Sequence, residues 1–268
     1  MKTTPGVVGR RLSLFGAALV STVGLVLGVS LPASAVTWSY VPLGDSYAAG
    51  TGAGSYTDLR CWNSRAGYPS LLDADAGVTL TARATCSGAK TSDVINTQVK
   101  SLTAATTTVT LTIGGNDLGF SDVVTNCFIF VSASKCNTAL SAGELKLSNG
   151  TFSTAFANTL NAIKAKSPGA LVLVTGYPQL VYNPAAGSSG ARVNADVVVL
   201  NDKIEAAVAA AAAGGLNARY VDVEVAFAGH GAGSPSAWIN GKNSLIGPYH
   251  PNATGQKAYA AAIRAAAA

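Results

Sequence analysis

This chain is poor in charge and in histidine. Charged residues make up 12% of its 268 residues, and the two histidines are His230 and His250. The basic residues are scattered and form no stripe, so the electrostatic footprint of a nucleic-acid binder is missing. There is no C-x-x-C pair and no histidine cluster, which argues against a metal site. No G-K-[ST] follows a glycine loop, so a Walker loop is excluded. The dinucleotide fingerprint G-x-G-x-x-G fails as well: after Gly50 and Gly52 its third position holds Ser55. No internal repeat and no linker divides the chain. Low charge beside 49% hydrophobic residues argues against disorder.

The long apolar run "LSLFGAALVSTVGLVLGVSL" stands near the start, behind Lys2, Arg10 and Arg11 and ahead of Ala33-Ser34-Ala35. A basic start, an apolar stretch and a small-x-small site make residues 1–35 an expected cleaved export signal. The run is also long enough to be a retained anchor; the A-x-A site and Pro32 favour cleavage. Arg10-Arg11 sit where a twin-arginine signal has its pair, and the choice of export route stays open. All 13 acidic residues and 15 of the 18 basic ones lie beyond position 35, so the segment that remains carries +2 rather than +5. Residues 36–268 suit one α/β domain. In an exported chain the four cysteines are expected to form two disulfides. Of the three pairings, Cys61–Cys86 with Cys127–Cys136 is the expected one, because each closes a local loop.

Strand-like runs occur at 37–43, 78–85, 106–117, 170–178 and 218–227, and helical stretches at 153–166, 193–213 and from about 253 to 266. Ser153 and Asn194 are plausible caps, and Pro168-Gly169 stops the first helix. "ALVLVTGYP" is almost wholly apolar, as a strand buried on both faces must be. Strands alternating with helices predict a parallel sheet of about five strands in a three-layer α/β/α arrangement. The segments 50–65, 127–150 and 179–192 read as long and irregular. In such a sheet ligands bind at the carboxyl ends of the strands, so Ser46, Gly88 and Asn116 are expected on one edge.

Each of these residues has a chemistry and a plainer alternative. "YVPLGDSYAAGTGAG" ends a strand in Gly44-Asp45-Ser46. A serine there is a nucleophile if a base takes its proton. His250, in "IGPYHPNATGQKAYA", and His230, in "FAGHGAG", both follow the last strand, and spacing alone does not choose between them. "TIGGND" puts the Asn116 amide at a strand end, and "CSGA" offers the Gly88 backbone N–H; such donors stabilise a developing oxyanion. Taken singly, each is ordinary turn chemistry. All four on one edge, in this order, are harder to dismiss.

In this order the four blocks resemble the SGNH hydrolases, the GDSL esterases and lipases, most of all their secreted bacterial members. "LGDSYAAG", "CSGA", "TIGGND" and "YHPNATGQKAYA" correspond to the family's four blocks, and the resemblance spans residues 36–268. It implies a flavodoxin-like sheet and ester hydrolysis without a cofactor. Ser46 is then the nucleophile and His250 the general base and acid. The Ser46 and Gly88 N–H groups and the Asn116 amide hold the oxyanion. Where much of the family has an Asp three residues before the histidine, this chain has Gly247. The expectation is a Ser–His dyad whose imidazole is held by the backbone carbonyl of Pro248 or Gly247, with Asp222 or Asp202 as three-dimensional substitutes. The same comparison places His230 in a different loop, one that lacks the family's third disulfide.

Asp45 and Asp117 read as acceptors that stabilise turns, and Gly50, Gly52 and Gly54 as slack in a substrate-lining loop. Trp38, Trp62 and Trp238 are assigned to packing ahead of a substrate groove. Activity is expected to fall as pH drops through roughly 6.5, the ordinary histidine value. The expected partner is an ester or lipid substrate, with "FIFV" (128–131) leaning toward acyl chains, for a secreted monomer. The rival functions are a carbohydrate O-acetyl esterase and a secreted binding protein without catalysis.

Overall fold

The computed structural model describes residues 37–268; the expected export signal lies outside them. In chain order the elements are β1 (Trp38–Gly44), α1 (Ser46–Ala49), β2 (Tyr56–Asp58), β3 (Asn63–Ser64), α2 (Tyr68–Asp73), β4 (Val78–Leu80) and α3 (Thr91–Asn96). They continue with β5 (Thr108–Thr112), α4 (Phe120–Val123), α5 (Ala133–Ser148), α6 (Thr151–Lys166), β6 (Leu171–Thr175), α7 (Ser189–Ala213), β7 (Ala218–Val221), α8 (Glu224–Phe227) and α9 (Ala253–Ala267).

Five strands form one all-parallel sheet in the order β4-β1-β5-β6-β7. This is the flavodoxin-like order, and it reverses between β1 and β5. Helices α2 and α9 pack together against one face, and α3, α6 and α7 against the other. The sheet is therefore buried on both sides. β5 shows the consequence, since all of Thr108–Thr112 is buried. Val109 and Leu111 feed one face, whereas the alternating threonines need hydrogen-bond partners. Thr110 pairs with the Tyr40 hydroxyl at 2.7 Å, and Thr112 with the hydroxyls of Tyr68 and Thr175 at 3.0 and 2.6 Å.

Several boundaries differ from the sequence expectation. The run at 78–85 pairs only as far as Leu80. Pro42 explains why: its missing N–H faces the β4 side, so the ladder cannot continue there. The chain beyond Leu80 still follows β1 loosely, donating from Thr81 to Tyr40, from Ala84 to Pro42 and from Cys86 to Gly44. Gln98 completes the gap, accepting from Gly44 N–H and donating back to Gly44 C=O. Strand β7 stops at Val221, and α8 takes up 224–227. The segment 127–150 is not irregular: it holds α5, which buries Cys136, Leu140, Gly143 and Leu147. Helix α7 begins at Ser189 behind a Ser188 cap rather than near Asn194. Asn194 lies inside the helix, where its side chain accepts from Leu180 and Val181 N–H and donates to Val181 C=O. Helix α6 starts at Thr151, two residues before Ser153.

The disulfides are Cys61–Cys86 and Cys127–Cys136. The first ties the β2–β3 hairpin to the loop that carries Gly88. It spans 25 residues, so a loop-entropy argument assigns it about 3 to 4 kcal/mol. Replacing both Cys61 and Cys86 by Ala is expected to lower unfolding stability by that amount in urea titrations; an unchanged midpoint would contradict this.

Candidate active site

The site stands where the strand order reverses, outside the carboxyl ends of β1 and β5. Gly44 ends β1 at φ +128°, and a Cβ there would lie 2.1 Å from the Thr112 carbonyl oxygen. Only glycine lets β1 run this close to β5 and then turn. Asp45 caps α1, its carboxylate accepting from Tyr47 N–H at 2.9 Å. Ser46, 4% exposed, is the first residue of α1. Across the sheet edge, Asn252 caps α9 by accepting from Thr254 and Gly255 N–H, and the loop before it carries His250.

His250 Nε2 lies 2.7 Å from Ser46 Oγ, and His250 Nδ1 lies 2.9 Å from the Pro248 carbonyl oxygen. A carbonyl only accepts, so Nδ1 carries the proton and Nε2 presents its lone pair to the serine hydroxyl. Among the described residues no carboxylate bonds to His250: Asp222 accepts from Glu224 N–H instead. The His250 ring packs against Tyr47 and Phe120, with centroids 5.2 and 5.4 Å away. Burial drives the imidazole pKa down to about 4, and the Pro248 carbonyl offsets only part of this. The acid limit expected near 6.5 from sequence therefore moves lower.

Asn116 follows β5, and its side-chain amide donates to the Ala89 carbonyl at 3.0 Å, leaving its second N–H without an acceptor among the described residues. This bond brings the loop of Gly88 beside Asn116. Neither Ser46 N–H nor Gly88 N–H has an acceptor among the described residues. Ser46, Asn116 and Gly115 line one small cavity with Phe120, Leu180 and Tyr177, about 40 Å³ in volume. Gly88 opens instead onto a broader cleft with Arg60, Arg83 and Thr85. His230 takes no part: its ring stacks on Trp238 at 3.7 Å, and its Nδ1 meets the Ser236 carbonyl.

Other sequence expectations change in detail. Gly52 is packed rather than slack. A Cβ on it would lie 2.7 Å from the Asn240 amide and 3.0 Å from His250 Cβ, so this glycine lets the loop after Ser46 touch the histidine loop. Asn240 joins the same two loops, donating to Gly52 and Gly247 carbonyls. Trp38 and Trp238 pack against the core, and Trp62 meets Tyr56 edge-on. Asp45 does more than stabilise a turn: it is buried and also accepts from the Tyr177 hydroxyl. Burial lifts its pKa to about 7, against the pull of the Tyr177 and Tyr47 bonds. Asp117 is raised by burial too, though Thr91 donates to it from N–H and hydroxyl.

Tyr177 was not among the residues singled out from sequence. It donates to Asp45 and accepts from Gly115 N–H at 3.2 Å, joining the ends of β1 and β5 from the end of β6. Its place at the end of "ALVLVTGYP" was the available signal.

Residues 43–258 match the GDSL-like lipase/acylhydrolase family. The chain belongs to that family. Lipase 1 of Streptomyces coelicolor is 34% identical over 262 residues, covering 92% of this chain and 95% of the relative. The lipase of Streptomyces rimosus is 35% identical over 254 residues, covering 91% and 89%. Among solved structures, phospholipase A1 from Streptomyces albidoflavus superposes with a TM-score of 0.77 at 33% identity, covering 86% of this chain and all of that one. The protein is thus a lipase/esterase-type hydrolase with the family's parallel-sheet fold. A family two carbohydrate esterase from Clostridium thermocellum, at 13% identity and TM-score 0.52, shares the fold alone. The two disulfides are consistent with an extracellular location.

The His250 geometry makes a direct prediction. Ring-nitrogen NMR should find His250 neutral, with the proton on Nδ1, at pH values well below the ordinary 6.5. An imidazolium signal there would contradict the structure.

Proposed function

We propose that the protein hydrolyses lipid acyl esters through a covalent acyl-enzyme formed on Ser46. The observation that carries this reading is the line from Ser46 Oγ through the His250 ring to the Pro248 carbonyl. His250 Nε2 takes the hydroxyl proton as Oγ bonds to the ester carbonyl carbon. The negative charge moves to the carbonyl oxygen, which the N–H groups of Ser46 and Gly88 and the Asn116 amide receive. The imidazolium that forms is held through Nδ1–H by the Pro248 carbonyl dipole. It then returns the proton to the departing alcohol oxygen as the C–O bond breaks. Water repeats the sequence on the acyl-enzyme and releases the acid.

Two observations favour lipid esters over acetylated carbohydrate. The cavity at Ser46 is walled by Phe120, Leu180, Val197 and Leu200. The relatives at 33–35% identity are named lipases or a phospholipase A1, whereas a carbohydrate esterase matches at 13%. Phe130 and Val131, 77% and 71% exposed, add apolar surface beside the site, and neighbouring Phe128 packs on Tyr249 at 4.5 Å.

Ser46→Ala and His250→Ala are each expected to abolish hydrolysis of a chromogenic acyl ester with the fold intact by circular dichroism. Asn116→Ala should lower kcat by about 10²- to 10³-fold. Full activity in the Ser46 or His250 variant, or no label at Ser46 from a fluorophosphonate, would sink the reading and leave a binding role.

The protein is also proposed to act outside the cell. One similar solved structure is described as an extracellular lipase of Streptomyces rimosus. Mass spectrometry of the exported protein should find its N-terminus at Val36; retention of residues 1–35 would point to an anchor.

A further inference from the structure

The cavity at Ser46 borders a second space. The two share the Gly115 backbone and the side chains of Phe120, Leu180, Val197 and Leu200. The second space, about 70 Å³, runs between α5 and α7. Leu118, Leu140 and Val193 add further hydrocarbon to its walls.

Asp196 is the exception in this lining. It is half-buried on α7, and no protein group among the described residues forms a hydrogen bond with its carboxylate. The nearest cation, Arg192, lies one turn earlier on the same helix and is already engaged. Its guanidinium grips Glu144 of α5 through two nitrogens and also donates to Asn137 and Ser141. Glu144 repels Asp196 from the facing helix, while Arg192 attracts it. Asp117, in the loop on the third side, is turned away to Thr91. Burial, then Glu144, lift the Asp196 pKa to about 6.

We propose that this space is the acyl-chain channel and that Asp196 sets the longest chain it admits. The inference rests on the reading of Ser46 as the acylated nucleophile. An acyl group on Ser46 enters the hydrocarbon-walled space past Phe120 and Val197. A short chain ends before Asp196. A longer one must strip water from a carboxylate that no donor compensates, which is unfavourable. The protonated acid is cheaper to desolvate. Because its pKa is raised, that form is populated as pH falls through about 6, so tolerance for long chains rises in the same window.

The test compares kcat/KM for detergent-solubilised butyryl, octanoyl, lauroyl and palmitoyl p-nitrophenyl esters in the natural protein, Asp196→Leu and Asp196→Asn, on both sides of that window. The palmitoyl-to-butyryl ratio should rise about tenfold in Asp196→Leu above it. In the natural protein the ratio should climb on acidification, and in both variants it should be flat with pH. Asp196→Asn keeps the shape, so it carries the test if the leucine variant folds poorly. A ratio that does not move in either variant, or that keeps its pH dependence in Asp196→Asn, overturns the proposal. Ser46→Ala runs in parallel: an inactive Ser46→Ala with unmoved ratios sinks only the channel, whereas an active one sinks the nucleophile reading itself.

Discussion

A backbone carbonyl that can only accept a hydrogen bond fixes the tautomer of His250. Pro248 C=O forces the proton onto His250 Nδ1, and the tautomer then leaves Nε2 basic toward Ser46. The surrounding loop is built to aim that carbonyl. Tyr249 adopts a positive φ of 58°, an uncommon conformation for a residue with a side chain. It is held by a bond from its N–H to the Asn240 carbonyl, and its own carbonyl accepts from the Tyr47 hydroxyl at 2.7 Å. Tyr47 belongs to the helix that Ser46 begins, so Ser46 and His250 are tied by more than their own contact.

A second network supports the Ser46 turn from below. Asp45, Tyr177 and Gly115 link the ends of β1, β6 and β5. Gln256 of α9 adds a further link, donating to Tyr47 C=O at 3.0 Å and accepting from Tyr68 N–H at 2.8 Å. These groups are buried, so each polar atom left without its partner would be costly. That makes the arrangement cooperative: the Ser46 turn, the Gly115 end of β5 and helix α9 share one hydrogen-bonded frame. The site residues Ser46 and Asn116 sit on a rigid sheet edge, with loops held at both sides.

Much of this was legible in the sequence because glycine, proline and strand-like runs mark the sheet directly. The apolar run at 170–178 and the glycine turns after 43 and 113 lead to strand ends, and the parallel order brings those ends together. Helix α5 was hidden because its buried positions, Cys136, Leu140, Gly143 and Leu147, have the right spacing but include a glycine and a cysteine among Ser, Asn and Thr. The early end of β4 was legible in principle from Pro42, but only once the side on which its nitrogen faces is known. Tyr177 and Gln256 were invisible for another reason. Their importance comes from partners about 130 and 190 to 210 residues away in sequence, and periodicity carries no information about such pairs.

The carbonyl in place of a carboxylate has an electrostatic logic of its own. His250 packs against Tyr47 and Phe120 beside a hydrocarbon-walled cavity. A carboxylate on Nδ1 would have to be desolvated there. Asp45, close by, carries that penalty already, and its burial lifts its pKa to about 7. A neutral carbonyl avoids that cost and leaves the imidazole free as a base down to low pH, at the expense of weaker stabilisation once it is charged. In the proposed reaction the Ser46 and Gly88 N–H groups and the Asn116 amide would oppose that weakness, because the negative charge they would collect forms as the imidazolium does and lies close to it. In a cavity this apolar the two charges interact strongly. The transition state of the proposed reaction would thus carry its own counter-ion, which the ground state lacks, and differential stabilisation of that kind is what accelerates a reaction.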